Sequence, residues 1–298
     1  MLPVTKSSIG IVQYPCKLGQ RKDGVDQTPD RLLESISAIV QKESKNVRIY
    51  DSHKIRNLNR VQDDSHNEKH VFEANLALRE LVFRSLHENE KTLNIGGDHS
   101  MGLGTLSAFL TAYPKDSLVI WIDAHADLNT RASSPSGNFH GMPLSFILGI
   151  DKDNAFPMTV HLNHQHLAYI GIRDLDPFEI ETIAKLNIRT VTPAQLTTDS
   201  EFNVREFVKN FIGEGKTVHI SWDVDSTDPS TEITSTGTTA DGGIKCSHVK
   251  ELIKAVTEHN TLVSLDVTEL NLSLGANEEE LRRSLDLTLD VIKFFIDC

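Results

Sequence analysis

Short runs rich in Val, Ile and Leu alternate with helix-length segments along the chain, and this alternation restricts the fold more than any other feature of the sequence. The runs lie at 8–12, 47–50, 92–95, 118–122, 167–172, 218–222 and 262–267. Each is continuously apolar rather than alternating with polar residues. A strand with one wet face would alternate, so these strands are predicted to be buried on both faces of a parallel sheet. Between them, apolar residues recur at spacings of three and four, and helices are predicted at 30–44, 70–89, 176–186, 203–213, 247–259 and 277–295. Strand and helix in turn imply a three-layer α/β/α architecture with a mostly parallel central sheet. No fixed-period repeat or low-complexity linker divides the chain, so residues 1–298 are read as a single domain.

Charge narrows the range of partners. The formal net charge is -12. Nucleic acids and anionic membranes need a basic face, so neither is expected as a partner, whereas a cationic small molecule suits this field. Cys16, Cys246 and Cys298 are too few and too scattered for a disulfide framework or a thiolate metal site. The opening residues lack the apolar stretch of a secretory signal and the Arg-rich character of a transit peptide. No apolar run approaches the roughly 20 residues a membrane helix needs. A cytoplasmic protein is the expectation.

Three strand ends carry the chemistry. The run ending at Ile122 continues into Asp123, Ala124, His125, Ala126 and Asp127. If the chain stays extended there, period-two geometry turns all three polar side chains to one side. A second strand ends in Asp223, Val224 and Asp225. Two carboxylates on one face repel unless a cation lies between them. The third device is Gly96, Gly97, Asp98, His99 and Ser100, where glycines permit close backbone approach and Ser100 could cap the next helix. His99, Asp123, His125, Asp127, Asp223 and Asp225 make six candidate ligands, too many for one ion that must also leave room for a substrate. Two ions sharing carboxylates would use them, and a water between the ions would ionise near neutral pH. Oxygen donors with some imidazole favour Mn²⁺ over thiolate-seeking zinc. Two loops, 129–141 and 226–243, follow these strands and are rich in Ser, Thr and Gly. In open α/β sheets ligands collect at such strand ends.

The segments GGDHS, DAHAD, SSPSGNFHG, DVDSTDP and DVTE, in this order, resemble the arginases within the ureohydrolase family, and the likeness covers nearly the whole chain. The resemblance implies an arginase-like fold and hydrolysis of L-arginine to L-ornithine and urea by a metal-bridging hydroxide in a two-manganese site. It assigns His99, Asp123, Asp127 and Asp223 to one ion, and His125, Asp123, Asp223 and Asp225 to the other. Asn129 and Ser136, with Ser134 nearby, would bind the substrate α-carboxylate, and Asp176 and Glu179 would reach its α-amino group. Glu269 would hold the guanidinium, Thr238 would line the pocket, Asp127 would carry a proton, and His140 would shuttle protons. A homotrimer or hexamer is implied. A sister activity on agmatine or another guanidino compound is the alternative. The chain departs from the family pattern at Ser226, where glycine is usual, and at Thr239, where proline is usual.

Overall fold

The computed structural model describes residues 8–42, 45–59, 67–115, 117–151 and 156–298. Its strands are β1 (Ser8–Tyr14), β2 (Asn46–Tyr50), β3 (Lys91–Gly96), β4 (Ser117–Ile122), β5 (Leu167–Ile170), β6 (Arg189–Val191), β7 (Thr217–Asp223) and β8 (Thr261–Thr268). They form one sheet in the order β2-β1-β3-β8-β7-β4-β5-β6. Every neighbouring pair is parallel. Parallel neighbours cannot be joined by a tight hairpin, so each connection crosses a face of the sheet and covers it. The connecting helices are α1 (Thr28–Lys42), α2 (His53–Leu58), α3 (Glu68–Glu88), α4 (Gly102–Ala112), α5 (Pro143–Ile147), α6 (Pro177–Leu186), α7 (Pro193–Thr197), α8 (Val204–Ile212) and α9 (Cys246–Thr257), and α10 (Glu278–Asp297) follows the last strand.

Strand β4 shows how the core divides. Leu118, Ile120 and Ile122 point into the layer built by α1, α8, α9 and α10. Val119 and Trp121 point into the opposite layer, against α3, α4 and α5. Both sets are buried, which is why the strand reads as an unbroken apolar run. All strands run the same way, so their carboxyl ends share one edge of the sheet, and β3, β8, β7 and β4 stand side by side at its centre.

The predicted strands and long helices are present, with ends shifted by a few residues; the predicted end of the first helix at 43–44 lies outside the described residues. Strand β6 went unread because it is a short edge strand with Arg189 and Thr190 exposed. Helix α4 also escaped, for the opposite reason. Its first nine residues are all buried, so no polar face marks its period.

Candidate metal centre and substrate cleft

Strand β4 stops at Ile122, and the chain does not stay extended through the Asp, His, Asp sequence as expected. It bends, and Asp127 adopts a left-handed conformation with φ of 49°. The three side chains consequently separate. Asp123 sits at the centre and sends Oδ2 toward His99 Nδ1 at 3.0 Å and Oδ1 toward His125 Nδ1 at 3.4 Å. One carboxylate thus belongs to two groups.

The first group gathers around His99 Nδ1. Asp123 Oδ2 at 3.0 Å, Asp127 Oδ2 at 3.2 Å and Asp223 Oδ2 at 3.2 Å surround this nitrogen. All four residues are buried. Yet His99 Nδ1 makes no properly directed hydrogen bond. A single imidazole proton could serve one of these oxygens, whereas a cation would serve all of them. Ligands at right angles around a small divalent ion about 2.1 Å away stand about 3 Å apart, which is the spacing seen. The second group is Asp123, His125 and Asp225. Here Asp225 Oδ2 lies 3.2 Å from His125 Nδ1 and accepts the Thr238 hydroxyl at 2.8 Å. Asp223 joins the first group through Oδ2, while its Oδ1 accepts the Asp225 backbone N–H at 2.8 Å.

The electrostatics fit a shared cation. Burial and the charge of Asp123 push the Asp127 carboxyl up to about 7. Burial and the neighbouring Asp225 and Asp123 raise Asp223 well above the carboxylate range. Burial opposes a charge on His99, but the carboxylates of Asp123, Asp127 and Asp223 outweigh it and hold its pKa well above the ordinary value. Repelling carboxylates thus retain protons that a metal would replace.

Loops supply the wall of the cleft, a cavity of about 170 Å³ whose lining includes His125, Asp127, Asn129, Ser134, Ser136 and His140. The Ser134 hydroxyl accepts the Gly137 N–H at 3.0 Å, and that of Ser136 accepts the Asn138 N–H at 3.2 Å. Each hydroxyl keeps a proton of its own to donate. Asn129 Nδ2 donates to Asp176 Oδ2 at 2.8 Å. Glu179 lines the cleft too, but its two oxygens accept the backbone N–H groups of Leu128 and Asp176 at 2.9 and 3.0 Å. Asp174, which sequence reasoning passed over, also lines the cleft and lies 3.6 Å from His125 Nε2. Thr238 reaches the cleft despite the Thr239 departure.

Glu269 is absent from the described residues that line the cleft; it is buried, with φ of 62°, against His140, which does line it. Its Oε1 accepts the His99 backbone N–H at 2.8 Å and lies 3.0 Å from His140 Nδ1. Burial opposes protonation of His140, but the Glu269 carboxylate overcomes it and raises the imidazole to about 9. Asp98, rather than Ser100, caps the turn before α4, accepting the Ser100 N–H at 3.0 Å. Gly97 is required here because a Cβ at this position would overlap the Cys16 carbonyl.

Beneath this lies a layer the sequence did not reveal. His99 Nε2 pairs with Ser221 Oγ at 2.9 Å, and Ser221 donates to Asp266 Oδ2 at 3.2 Å. Asp266 also receives Asn94 and Thr105 at 2.7 Å each, and His219 Nε2 stands 3.0 Å away. Nearby, the Arg173 guanidinium donates to the carbonyls of Asp225, Ser226 and Ala240, tying the 226–243 loop to the end of β5. Ser226, standing where the family has glycine, is fully buried yet satisfied. Its hydroxyl donates to the Asp223 carbonyl at 2.6 Å and accepts Trp222 Nε1 at 3.2 Å.

Fold and site together define a class: a parallel α/β/α protein whose strand ends gather buried Asp and His groups that could hold metal ions. Comparison with known proteins makes it specific. Residues 7–292 match the sequence profile described as Arginase family. An arginase of Schizosaccharomyces pombe is 35% identical over 96% of this chain and 91% of its own length. The mitochondrial arginase-2 of Rattus norvegicus is 32% identical over 96% of this chain and 83% of its own. The arginase of Entamoeba histolytica, solved in complex with L-ornithine, superposes with a TM-score of 0.85 at 28% identity, covering 98% of this chain and 99% of the other. The chain belongs to the arginase family.

Proposed function

We propose that this chain hydrolyses L-arginine to L-ornithine and urea. The observation that carries this reading is Asp123, one carboxylate shared between two His/Asp groups at the base of a polar cleft. Two Mn²⁺ ions per subunit are the proposed cofactor, one taken by His99, Asp123, Asp127 and Asp223, the other by His125, Asp123, Asp223 and Asp225. The oxygen-rich donor set with imidazole suits that ion. When bound, such a pair supplies a water that ionises near neutral pH.

The chain's own groups do the rest. Guanidinium is unreactive because its charge is delocalised, so it must be gripped and oriented before attack. Glu269 supplies the negative charge that holds it. Asp127, as a carboxylate once its own proton has been displaced, takes a proton from the attacking oxygen and returns it to the leaving amine nitrogen. His140, poised on Glu269 through Nδ1, exchanges protons with solvent. Asn129, Ser134 and Ser136 donate to the α-carboxylate, Asp176 faces the α-amino group, and Glu179 supports both by fixing the loop start. Thr238 steadies Asp225 at the edge of the cleft.

A single domain spanning the chain, a cytoplasmic location and a homotrimeric or hexameric assembly belong to the same proposal. The deciding experiment is urea release from arginine, agmatine and guanidinobutyrate by protein reconstituted with Mn²⁺, alongside elemental analysis. Arginine should be preferred, with two manganese per chain and loss of activity on chelation. Preference for agmatine would replace this reading with the sister ureohydrolase activity.

A further inference from the structure

One side chain in the 129–141 loop binds the scaffold instead of the cleft. Arg131 donates through Nη2 to Asp151 Oδ1 at 2.9 Å and through Nε to Asp151 Oδ2 at 3.3 Å. Its backbone N–H also reaches Asp151 Oδ2, at 3.1 Å. Its Nη1 donates to Glu68 Oε1 at 2.7 Å at the start of α3, and its guanidinium lies over the Phe146 ring of α5 at 5.6 Å. Only 7% of the Asp151 side chain is exposed, and a carboxylate so enclosed is costly unless paired. Three parts of the molecule, the loop, α3 and α5 with the segment after it, therefore meet at one guanidinium.

We propose that Arg131 is a positioning residue for substrate selection, pinning the turn that fixes how the Asn129 amide faces the cleft. The inference rests on the arginine reading above. The turn closes with Ser134 N–H donating to the Thr130 carbonyl at 3.0 Å and Thr130 N–H donating to Ser133 Oγ at 2.9 Å. Ser133 then donates its own proton to Asn129 Oδ1 at 2.9 Å. With Oδ1 engaged on the loop side, Nδ2 is directed at Asp176 on the cleft side, 2.8 Å away. The two ends of an amide have nearly the same shape, so hydrogen bonds alone decide which end faces a ligand. Release of the turn would let Asn129 present an acceptor to a carboxylate, which repels it. Lysine cannot replace the arginine fully, because a point charge cannot make a planar two-point contact.

The test uses Arg131→Ala, Arg131→Lys and Ser133→Ala in the full-length, manganese-loaded enzyme. Ser133→Ala leaves the clamp in place and removes the amide lock together with the Thr130 N–H contact to the same hydroxyl. Arg131→Ala should raise KM for arginine roughly tenfold, as expected when one hydrogen bond to a charged group is lost, with kcat within about twofold. Ser133→Ala should match it, and Arg131→Lys should fall between. Slow hydrolysis of agmatine, which lacks the carboxylate, should be unchanged. Amide hydrogen exchange over 129–138 should accelerate in Arg131→Ala while the central strands keep their protection. Equal losses on both substrates, a fall in kcat at constant KM, or unaltered exchange in the loop would overturn the proposal. A wild-type enzyme that prefers agmatine would refute the arginine reading instead, and the exchange data would still decide the clamp.

Discussion

The floor of the cleft grows from the ends of three strands, β3, β4 and β7, whereas its wall is made of loops held by side-chain hydrogen bonds. On the floor, the positions of His99, Asp123 and Asp223 follow from where the strands end, and a second buried layer through Ser221 and Asp266 backs His99. On the wall, Asn129 is placed by Ser133, Asp176 and a turn clipped to Asp151. The floor therefore inherits the rigidity of the core, and the wall depends on a handful of exposed or half-buried hydrogen bonds. Damage to the floor should abolish chemistry, while damage to the wall should alter selection and leave chemistry in place.

Asp123→Asn strikes the floor hardest, because this carboxylate serves both groups. Manganese content should fall toward zero, and kcat/KM should drop on the order of 10⁴-fold or more, since an unassisted water ionises so much less readily. Retention of both ions with near-normal turnover would break the contrast between floor and wall.

Asp266→Asn tests the buried layer without touching the cleft. Removing one partner of a buried pair should cost about 3–5 kcal/mol of stability in chemical denaturation. Burial alone would raise the Asp266 carboxyl, but the charge and hydrogen bond of His219, with Thr105 and Asn94, hold it below the ordinary range. A depressed folded pKa means the stabilisation is complete above the unfolded value of about 3.9 and is lost as pH falls through the folded one. The wild-type protein should therefore lose more stability on acidification through that window than the variant. Parallel pH profiles would show that Asp266 contributes nothing through its charge.

The mildest effect is expected at the join between floor and wall. His140→Asn should lower kcat by about 10²-fold or less, the usual worth of one proton-transfer group, with manganese content unchanged. Added imidazole should restore part of the rate. Full activity without imidazole would remove His140 from proton transfer and leave it a support for Glu269.

The same division explains what could be read in advance. The sheet was legible because residues such as Leu118 to Ile122 must be apolar on both faces, and ligand candidates were legible because carboxylates rarely follow such strands without cause. The turn at Asp127 was not, since nothing in Ala126 or Asp127 announces a positive φ. Ser133, Arg131 and Arg173 were invisible for another reason. Their partners, Asn129, Asp151 and the carbonyls of 225–241, either look like ordinary loop residues or lie far along the chain. Glu179, expected to reach the substrate α-amino group, lines the cleft while its oxygens accept the Asp176 N–H through a local capping box and the Leu128 N–H through a pairing that only the fold creates.

Asp127 and Glu269 share one further property: both hold a side-chain carboxylate on a left-handed backbone, at φ of 49° and 62°. For a residue with a Cβ that conformation costs roughly 1–2 kcal/mol, and glycine would avoid it. Glycine would relieve that strain at both positions, but at Glu269 it would also take away the acceptor of the buried His99 N–H, a loss of about 1–3 kcal/mol that offsets the gain. The Glu269 carboxylate is thus held on its strained backbone by folding as well as by turnover.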